Sequence, residues 1–368
     1  MDSASREGSL QIEFSPAAQR VDGGRLAEIH ANPGFGLHFT DHMFLAEWTP
    51  EYGWHNARVT AYAPISMDPA TAVLHYAQEI FEGMKAYRHA DGSVWTFRPQ
   101  ENAARMVRSA RRLALPELPV EDFVASVDAL IRVDEHWVPD PEGEKSLYIR
   151  PFMFASEKFL GVRPSRHVTY MVIASPAGAY FAKGLHPVSI WLSEDYSRAA
   201  VGGMGAAKTG GNYASSLVAQ QEATENGCDQ VVFLDAVERR WVEELGGMNL
   251  YFVHDDGSIV TPELSGTILE GITRSSIIEL CRQQGWKVEE RKVSVDEWRD
   301  GVASGRITEV FACGTAAVIT PVGQLKWRGG EVGSLDEIGP VTQQVRRSLV
   351  DIQYGRAEDT FGWMHKVL

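Results

Sequence analysis

Apolar runs of strand length are the main pattern in the first half of the chain. They predict strands at Trp54–Tyr62, Met84–Tyr87, Ser93–Phe97, Leu147–Phe154 and Val168–Ser175. Asp91-Gly92 lies between the second and third of these runs, and this dipeptide is typical of a tight hairpin turn. Residues 1 to about 45 are polar and broken by glycine, so we expect an N-terminal arm ahead of these strands.

Helical spacing of apolar residues occurs between these strands. Pro99–Leu113 and Phe123–Ile131 each place apolar side chains on one face, which predicts two amphipathic helices that face the core. A third helix is predicted to begin at Asp68-Pro69, because proline is favoured in a first turn, and to run through Ile80 until Gly83 stops it. The first half is therefore expected to be an α/β domain.

Strands follow one another more closely in the second half. The runs are Val188–Ser193, Gln230–Leu234, Arg240–Glu244, Met248–Val253 and Thr308–Ala312. This density predicts a sheet-rich or barrel-like domain. Helices are predicted from Asn212 as N-cap to Gly227, after Gly271, and after the capping box formed by Ser294 and Glu297.

A stretch of small residues, Ser175–Ala179, separates the two halves and is typical of a linker. We expect the domain boundary near residue 180. The predicted organisation is an N-terminal domain with its arm at 1–179, a linker at 180–187 and a C-terminal domain at 188–368.

Composition narrows the class of protein. The 368 residues are 44% hydrophobic and 23% charged, which is typical of a globular protein. The formal charge of -14 repels a phosphate backbone, so nucleic acid is not expected as a ligand. The sequence contains neither a run of eighteen apolar residues nor a secretory leader. We therefore expect a cytoplasmic protein without a membrane segment.

The cysteines and histidines do not form metal-binding patterns. Cys228, Cys281 and Cys313 lie far apart, so we expect three buried apolar residues rather than a disulfide framework or a zinc site. The eleven histidines show no metal-ligand spacing. A protein metal site is therefore not predicted.

A glycine-rich stretch with a single charge is the strongest chemical feature. Val201–Tyr213 contains five glycines, two alanines and one lysine, Lys208. Gly202 with Lys208-Thr209 nearly matches a nucleotide-binding loop, but Ala207 replaces the glycine that must precede the lysine. A lysine that forms a Schiff base needs similar small-residue surroundings, so that a flat carbonyl cofactor can approach. A solvated lysine in a surface loop stays open as the third interpretation.

A carbonyl cofactor with a phosphate needs further groups, and the chain offers candidates. Tyr213 follows Lys208 by five residues, where its phenol can reach a ring oxygen; alone, it would be a half-buried aromatic residue. Glu243 and Glu244 form an acidic pair on a predicted strand. Because strand side chains alternate, one carboxylate can face inward toward a cationic pyridine ring. For Glu243 alone, a solvated charge is the favoured interpretation.

Receptors for phosphate and carboxylate groups are predicted as well. Ile272 and Thr273 at a helix N-terminus offer free N–H groups, and Thr315 offers a hydroxyl. Arg98 adds a bidentate guanidinium. Tyr148 and Arg150 are two residues apart on a strand and therefore face one side, where they can receive a carboxylate. An ordinary helix start and a structural polar cluster remain the alternatives for these two sets.

Taken together, these residues resemble a known family. The motifs are Leu74–Tyr76, Phe81–Lys85, Phe97–Pro99, Leu147–Pro151, Lys208–Tyr213, Glu244–Asn249, Gly271–Arg274 and Gly314–Ala316. In this order they resemble the branched-chain amino-acid aminotransferases, whose pyridoxal-phosphate fold is shared with D-amino-acid aminotransferases and aminodeoxychorismate lyases. The resemblance runs from about Pro33 to the C-terminal region. It implies a two-domain α/β fold like that of D-amino-acid aminotransferase, with a smaller N-terminal α/β domain and a larger C-terminal pseudo-barrel domain.

The resemblance also implies a cofactor and a reaction. Pyridoxal 5'-phosphate would be carried by Lys208, with Glu244 at its pyridine nitrogen and Tyr213 at its phenolic oxygen. The groups implied for its phosphate are the side chains of Arg98 and Thr315 and the N–H groups of Ile272 and Thr273. The implied reaction exchanges an amino group between leucine, isoleucine or valine and 2-oxoglutarate, in two half-reactions that alternate at one site.

The substrate contacts are implied in the same way. Tyr148 and the N–H groups of Thr315 and Ala316 would receive the substrate carboxylate. For the second carboxylate of glutamate we expect a polar contact from the backbone, from Arg150 or from a neighbouring tyrosine hydroxyl. The residues implied around the side chain are Tyr76, Phe81, Tyr148 and Tyr180, with Leu160 and Val162 from the second subunit of a homodimer. A D-amino-acid aminotransferase or a lyase of the same fold stays open as the alternative activity.

Two places depart from the family pattern. Glu270 stands where a proline usually precedes the turn at Gly271, which affects the expected geometry of that loop. Ala317 and Thr320 stand where mammalian relatives carry a C-x-x-C pair. The redox switch attributed to that pair is therefore expected to be absent.

Overall fold

The structure is a computed structural model. It describes residues 10–15, 20–178 and 185–368. The chain divides into two compact units, one made of Met1–Tyr180 with Gln353–Leu368 and the other of Phe181–Ile352. The last residues join the first unit, whereas the sequence prediction assigned them to the C-terminal domain. Strand pairing is the reason, since Met364–Lys366 pairs antiparallel with residues of the Val94–Phe97 strand.

The first unit is built on one mixed sheet. Its strands are β1 (Glu13–Phe14), β2 (His42–Thr49), β3 (Gly53–Ala61), β4 (Glu79–Phe81), β5 (Met84–Arg88), β6 (Val94–Phe97), β7 (Ser146–Ala155), β8 (Val168–Ala177) and β18 (Met364–Lys366). Its helices are α1 (Gly23–Ala31), α2 (Val73–Tyr76), α3 (Pro99–Arg112) and α4 (Val120–Val133). The strand order is β1-β3-β2-β8-β7-β5-β6-β18, and β4 pairs with β7 next to β5.

The predicted hairpin and the two amphipathic helices of this unit are confirmed. β5 and β6 pair antiparallel, and Gly92 adopts the positive φ of 87° that the turn requires. On α4, Phe123, Val127 and Leu130 follow helical spacing and are fully buried in the core that also contains Phe44 of β2. Each such side chain stabilises the fold by about 1.5 to 3 kcal/mol when it is removed from water.

The predicted helix from Asp68 to Ile80 is wrong over most of its length. Only Val73–Tyr76 is helical, because Ala77 adopts a left-handed conformation (φ 49°, ψ 34°) that ends the helix. Ile80 lies fully buried in β4 opposite Met153. Sheet pairing thus overrides the local helical pattern.

The predicted N-terminal arm also contains regular structure. The arm holds β1, α1 and the start of β2. Asp22 caps α1, since its carboxylate accepts hydrogen bonds from the N–H groups of Gly24 and Arg25 at 2.9 and 3.3 Å. Short amphipathic elements of this kind lack the long periodic signal on which the sequence prediction depends.

The second unit is built on a second mixed sheet. Its strands are β9 (Val188–Leu192), β10 (Gln230–Leu234), β11 (Val242–Leu245), β12 (Asn249–His254), β13 (Ile259–Thr261), β14 (Val288–Glu290), β15 (Ile307–Gly314), β16 (Val318–Trp327) and β17 (Gly330–Gly333). Its helices are α5 (Gly210–Ala214), α6 (Leu217–Glu225), α7 (Ile272–Gln283), α8 (Val295–Ser304) and α9 (Pro340–Gln353). The strand order is β11-β10-β9-β16-β15-β12-β13-β14, with β17 on β16.

Most predicted elements of this unit are confirmed, including the capping box before α8. The Ser294 hydroxyl accepts a hydrogen bond from the Glu297 N–H at 3.0 Å. One helix differs: the segment predicted to begin with Asn212 as N-cap is divided into α5 and α6, and Asn212 lies buried within α5. The three cysteines are buried, as predicted. Among the helices of the described residues, none combines the length and the apolar character needed to cross a bilayer.

Candidate active site

The lysine loop of the second unit is fixed by backbone contacts. Asn212 donates hydrogen bonds to the carbonyl oxygens of Met204 and Ala207, both at 2.8 Å. A Cβ on Gly205 would lie 2.2 Å from the carbonyl oxygen of Thr267, so only glycine allows this approach. The glycine-rich sequence therefore serves close packing, and it holds the backbone that carries Lys208 in a fixed place.

Lys208 and Tyr213 meet directly. The half-buried Lys208 amine donates a hydrogen bond to the Tyr213 hydroxyl over 2.8 Å and lies 5.3 Å from the centre of its ring. Helix α5 places Tyr213 one turn after the lysine. The two side chains that were expected to serve one cofactor therefore lie in contact with each other.

Glu244 is buried among hydrogen-bond donors. Its Oε1 contacts the Arg198 guanidinium and accepts a bond from the Leu269 N–H at 2.9 Å. The Asn249 amide lies 3.5 Å from Oε2. Burial raises the pKa of the Glu244 carboxyl, while Arg198 and the Leu269 N–H act in the opposite direction. These donors favour the ionised form of Glu244, a residue that is 2% exposed.

Glu243 corrects one expectation, because it is not a solvated strand charge. Its side chain is only 5% exposed, and the Thr267 hydroxyl donates a hydrogen bond to its Oε1. Burial raises the pKa of this carboxyl. Because side chains alternate along β11, Glu243 and Glu244 point to opposite faces of the strand. Both faces are buried here.

The helix N-terminus predicted to bind phosphate, that of α7, is packed against Asn249, which lies next to Glu244. A Cβ on Gly271, the N-cap of α7, would lie 2.1 Å from the Asn249 amide oxygen. Asn249 also donates to the Leu269 carbonyl at 3.1 Å. The first N–H groups of the helix, those of Ile272 and Thr273, have no acceptor within the helix. The N-terminus of α7 is therefore packed against the strand that follows the acidic pair.

Thr315 and Ala316 form the half-buried turn between β15 and β16. This turn is packed on the glycine pair after Glu244. A Cβ on Gly314 would lie 3.5 Å from the carbonyl oxygen of Gly247, and one on Gly247 would lie 3.5 Å from the Tyr213 ring. The second unit thus brings together the lysine loop, the acidic strand and the Thr315 turn. Glu270, the departure before α7, is exposed.

Arg98 belongs to the first unit and has an unusual backbone. It adopts a left-handed conformation (φ 48°, ψ 47°) between β6 and α3, which is strained for a residue with a side chain. Its N–H donates to the carbonyl of Trp363 at 2.8 Å, and its guanidinium lies 5.2 Å from the Trp363 ring. That ring stacks on Phe361 at 4.0 Å. Two aromatic residues of the C-terminal segment therefore hold this arginine.

Tyr148 and Arg150 meet on one face of β7, as predicted. Arg150 donates to the Tyr148 hydroxyl at 2.8 Å, and its guanidinium lies 4.7 Å from the centre of the Phe81 ring. A Cβ on Gly83 would lie 2.2 Å from the Tyr148 hydroxyl oxygen. The Arg150 Nε is buried and has no hydrogen-bond partner among the described residues.

Tyr76 contacts the loop between β7 and β8. Its hydroxyl donates to the carbonyl of Leu160. In the same loop, Leu160 and Val162 expose 63% and 88% of their surface. Arg163 and Glu157 pair at 2.7 Å across the loop, and this pairing lowers the pKa of Glu157 to about 2. Tyr180 lies outside the described residues.

A second polar cluster lies in the first unit, but its members bond to one another. His136 and the Trp137 indole N–H each lie 2.9 Å from Asp41 Oδ2, and His42 Nδ1 lies 2.7 Å from Asp134. Asp41, Asp134 and His136 have the spacing that a metal ion needs. These hydrogen bonds connect β2 to the turn after α4, and this structural role is enough to explain why the polar side chains lie together.

Several residues of these sites were missed by the sequence analysis. Arg198, Thr267 and Asn249 surround the acidic pair, and Trp363 supports Arg98. Arg198, Thr267 and Trp363 belong to no local pattern that indicates their partners, because each of their contacts joins residues distant in sequence. The Asn249 side chain alone had a signal, since it closes the Glu244–Asn249 motif.

Three comparisons identify the family. The sequence model of the family described as "Amino-transferase class IV" matches residues 79–325. A "Probable branched-chain-amino-acid aminotransferase" of Streptomyces coelicolor is 59% identical over 96% of this chain and 98% of its own length. The solved branched-chain amino acid aminotransferase of Escherichia coli is 30% identical, with a TM-score of 0.75 over 89% of this chain and 99% of that one.

A third relative also has a fold similar to that of this chain. It is a T.th. branched-chain amino acid aminotransferase, solved in complex with N-(5'-phosphopyridoxyl)-L-glutamate, and it is 30% identical, with a TM-score of 0.72 over 88% of this chain and 98% of that one. These matches confirm the predicted fold class and leave the nucleotide-binding interpretation of Lys208 without support. The chain belongs to the branched-chain-amino-acid aminotransferases of the class IV aminotransferase family.

Proposed function

We propose that this enzyme transfers an amino group between branched-chain L-amino acids and 2-oxoglutarate in the cytoplasm, using pyridoxal phosphate on Lys208. The main support is the contact of 2.8 Å between the Lys208 amine and the Tyr213 hydroxyl, beside a buried carboxylate in the same unit. The relative that was solved with a phosphopyridoxyl-glutamate compound supports both the cofactor and glutamate as a substrate.

The residues present fit this cofactor. Glu244 Oε1 already contacts Arg198 and the Leu269 N–H, whereas Oε2 has the Asn249 amide at the long distance of 3.5 Å. A protonated pyridine nitrogen would supply a stronger donor. In addition, the buried Oε2 of Glu243 lacks a hydrogen-bond partner among the described residues. The site therefore contains buried carboxylate oxygens that can accept more hydrogen bonds than the described residues donate to them.

When bound, pyridoxal phosphate supplies an electron-withdrawing ring that stabilises negative charge on the α-carbon of the substrate. Lys208 would hold the cofactor through its amine. Its Nζ would also take the proton from the α-carbon of the substrate and hold it, acting first as general base and then as general acid. Tyr213 accepts a hydrogen bond from Nζ and so orients it, and Glu244 keeps the ring nitrogen protonated.

The remaining residues are proposed to bind the phosphate of the cofactor and the carboxylate of the substrate. Arg98, Thr315 and the N–H groups of Ile272 and Thr273 are the proposed phosphate ligands, since N-terminal helix N–H groups and arginine both favour phosphate. The substrate carboxylate would be bound by Tyr148 and by the N–H groups of Thr315 and Ala316. The strained backbone of Arg98 is consistent with a functional constraint at that position.

The proposed side-chain pocket is largely apolar and aromatic. It comprises Tyr76, Phe81, Tyr148 and Tyr180, with Leu160 and Val162 from a second subunit. The unpaired Nε of Arg150 offers one buried donor for the second carboxylate of glutamate. A pocket of this kind binds branched aliphatic chains by burial and glutamate by one charge-assisted hydrogen bond.

Substrate preference provides the first test. Leucine, isoleucine and valine differ by about one methylene, and each methylene is worth about 0.8 kcal/mol, so we expect their kcat/KM values to lie within roughly tenfold of one another. Alanine lacks three carbon atoms of leucine and should react roughly 50-fold more slowly. Single-turnover rates with these amino acids measure both differences.

Two controls sharpen this test. Arg150→Met should slow the half-reaction with glutamate more than the one with leucine, because only glutamate needs the guanidinium. The D enantiomers of the same amino acids should react far more slowly than the L forms. A faster reaction with D-alanine than with L-leucine would show instead that the enzyme is a D-amino-acid aminotransferase.

We also propose that the enzyme is a homodimer, in which the β7–β8 loop of each subunit reaches the substrate pocket of the other. The exposure of Leu160 and Val162 supports this, because apolar side chains at a loop tip are more stable when a partner covers them. The Glu157–Arg163 pair stiffens the loop that carries them.

A charge at the loop tip should weaken both the dimer and substrate binding. We expect Val162→Glu to raise the KM for leucine about tenfold or more and to shift the mass in light scattering toward the monomer, since a buried unpaired carboxylate is unfavourable. Val237→Glu is the matched control, because Val237 is also exposed, at 79%, but lies in the second unit and outside this loop. Equal behaviour of the two variants would contradict the proposed role of the loop.

A further inference from the structure

Arg98 has a backbone conformation that its place in the sequence disfavours. It stands directly before Pro99, and a following proline pushes a residue toward extended conformations. Arg98 is left-handed instead, with φ 48° and ψ 47°, which is strained for a residue that has a side chain. Such a conformation persists only where the surrounding structure holds it.

Trp363 contacts both the backbone and the side chain of Arg98. The Arg98 N–H donates to the Trp363 carbonyl at 2.8 Å, and the guanidinium carbon lies 5.2 Å from the centre of the indole ring. At this distance the electrons of an indole face attract a guanidinium. One partner therefore restrains both ends of the arginine.

An ion pair with Glu101 restrains the guanidinium less. Glu101 Oε1 lies 3.9 Å from Arg98 Nη2, and the Glu101 side chain is 51% exposed, whereas that of Arg98 is 11% exposed. A solvated partner at the limit of ion-pair distance contributes little. Trp363, in contrast, is 7% exposed, so its ring is held by packing.

The indole is itself fixed on several sides. The Phe361 ring stacks on it, with centroids 4.0 Å apart and planes 6° apart, and the Phe97 ring meets it edge-on at 5.6 Å. The turn that carries Phe361 and Trp363 is closed by Asp359, whose carboxylate accepts hydrogen bonds from the N–H groups of Phe361 at 3.2 Å and Met364 at 2.7 Å. The C-terminal segment thus presents a fixed aromatic surface to Arg98.

We propose that Trp363 is a positioning residue for cofactor binding: it keeps Arg98 in the conformation in which the guanidinium binds the phosphate of the cofactor. The inference rests on the proposed function, in which Arg98 is a phosphate ligand. An arginine binds phosphate through a planar fork of N–H groups, so binding depends on where the guanidinium is held. Trp363 acts through Arg98, and the C-terminal segment thereby contributes to cofactor affinity.

Two ligands isolate this effect. Pyridoxal 5'-phosphate and pyridoxal offer the same aldehyde to Lys208, but pyridoxal lacks the phosphate. The dissociation constant of pyridoxal divided by that of pyridoxal 5'-phosphate, called the phosphate ratio here, therefore measures phosphate recognition. Titration of the full-length, cofactor-free protein, followed by visible absorbance, gives both constants. We expect Trp363→Leu to lower the phosphate ratio roughly 3-fold to 30-fold, the range that loss of a cation–π contact implies.

Two variants control for general damage. Trp95→Leu also removes an indole from the β6–β18 pairing, where Trp95 stands opposite Lys366 with the ammonium 5.8 Å from its ring. Its phosphate ratio should stay at the wild-type value, because the Trp363 ring remains. Trp363→Phe keeps an aromatic face and should retain most of the ratio. Equal losses in Trp95→Leu and Trp363→Leu would indicate a loosened sheet edge and would overturn the inference.

A double-mutant cycle tests whether Trp363 acts through Arg98. Arg98→Met removes the guanidinium and should lower the phosphate ratio more than Trp363→Leu does. In the Arg98→Met background, Trp363→Leu should cause no further loss, because the group that it positions is already absent. Additive losses would show that the indole acts by another route, and they would overturn the inference.

The outcomes separate this inference from the proposed function. A wild-type protein that binds pyridoxal 5'-phosphate no more tightly than pyridoxal contradicts the proposed phosphate site and the inference with it. A lowered ratio in Arg98→Met beside an unchanged ratio in Trp363→Leu overturns only the role of Trp363.

Phe361→Leu keeps the test decisive if Trp363→Leu does not fold. It removes the ring that stacks on the indole but leaves Trp363 in place, and Phe361 is only half-buried. The phosphate ratio should fall in the same direction by a smaller factor. An unchanged or higher ratio in this variant overturns the inference.

Discussion

Replacing Lys208 with alanine is expected to abolish transamination, with a loss of kcat on the order of 10⁶-fold, since removal of the reacting side chain of a covalent catalyst has effects of that size. No other residue type can replace the amine that carries the cofactor and moves the proton. The purified variant should also lose the visible absorbance of the lysine-bound cofactor. Stopped-flow kinetics and absorption spectra measure the two effects.

The control for this variant is a lysine outside the site. Lys287 lies on the surface of the same unit, where it pairs with Glu289. Lys287→Ala should remain coloured and active. A Lys208→Ala protein that keeps its colour and measurable turnover would contradict the assignment of this lysine, because the fixed glycine loop offers no second amine beside Tyr213 within the described residues.

Glu244→Gln is expected to have the second largest effect, a loss of about 10²-fold to 10³-fold in kcat with the cofactor still bound. Removal of one preorganised electrostatic partner of a developing charge has this magnitude in other enzymes. The amide cannot keep the pyridine nitrogen protonated, so the ring withdraws electrons less strongly. Rates of the half-reactions with leucine and with glutamate should fall together.

Glu243→Gln is the matched comparison for this variant. It changes the neighbouring carboxyl in the same way, but the Glu243 side chain contacts Thr267 rather than the donors that face Glu244. We expect a clearly smaller loss of kcat. A crippled Glu243→Gln beside a nearly normal Glu244→Gln would reverse the two assignments.

The parts of this molecule that the sequence predicted well are those with a strong local signal. The Asp91-Gly92 hairpin, the helices α3 and α4 and the Ser294 cap each depend on residues within one or two turns of one another. The contact of Lys208 with Tyr213 is local as well, since the two residues are five positions apart. Local geometry is enough to place such groups.

The errors have a different cause, which is competition from distant residues. The segment from Asp68 to Ile80 has a helical pattern, yet Ile80 lies in β4, which pairs with β7 in the sheet. Asn212 is a favourable N-cap residue, but its side chain is used to hold the lysine loop instead. Tertiary contacts override propensity at both places, and a single sequence does not contain them.

The acidic pair shows the same limit at the site itself. Alternation along a strand predicts one inward and one outward carboxylate, and Glu244 was correctly expected to be buried. Glu243 is buried because Thr267, which is distant in sequence, covers the other face. The polar network around Arg198 is therefore visible only in three dimensions.

The return of the C-terminal segment to the first unit sets an order for folding on the ribosome. The edge of β6 is closed by β18, and the Arg98 N–H donates to the Trp363 carbonyl, so both features require residues that are translated after the second unit. The second unit, Phe181–Ile352, is continuous in sequence and emerges whole before them. Until then the nascent first unit presents an unpaired strand edge, which is a site for aggregation. The second unit can therefore be completed before the first, although most of the first unit is translated earlier.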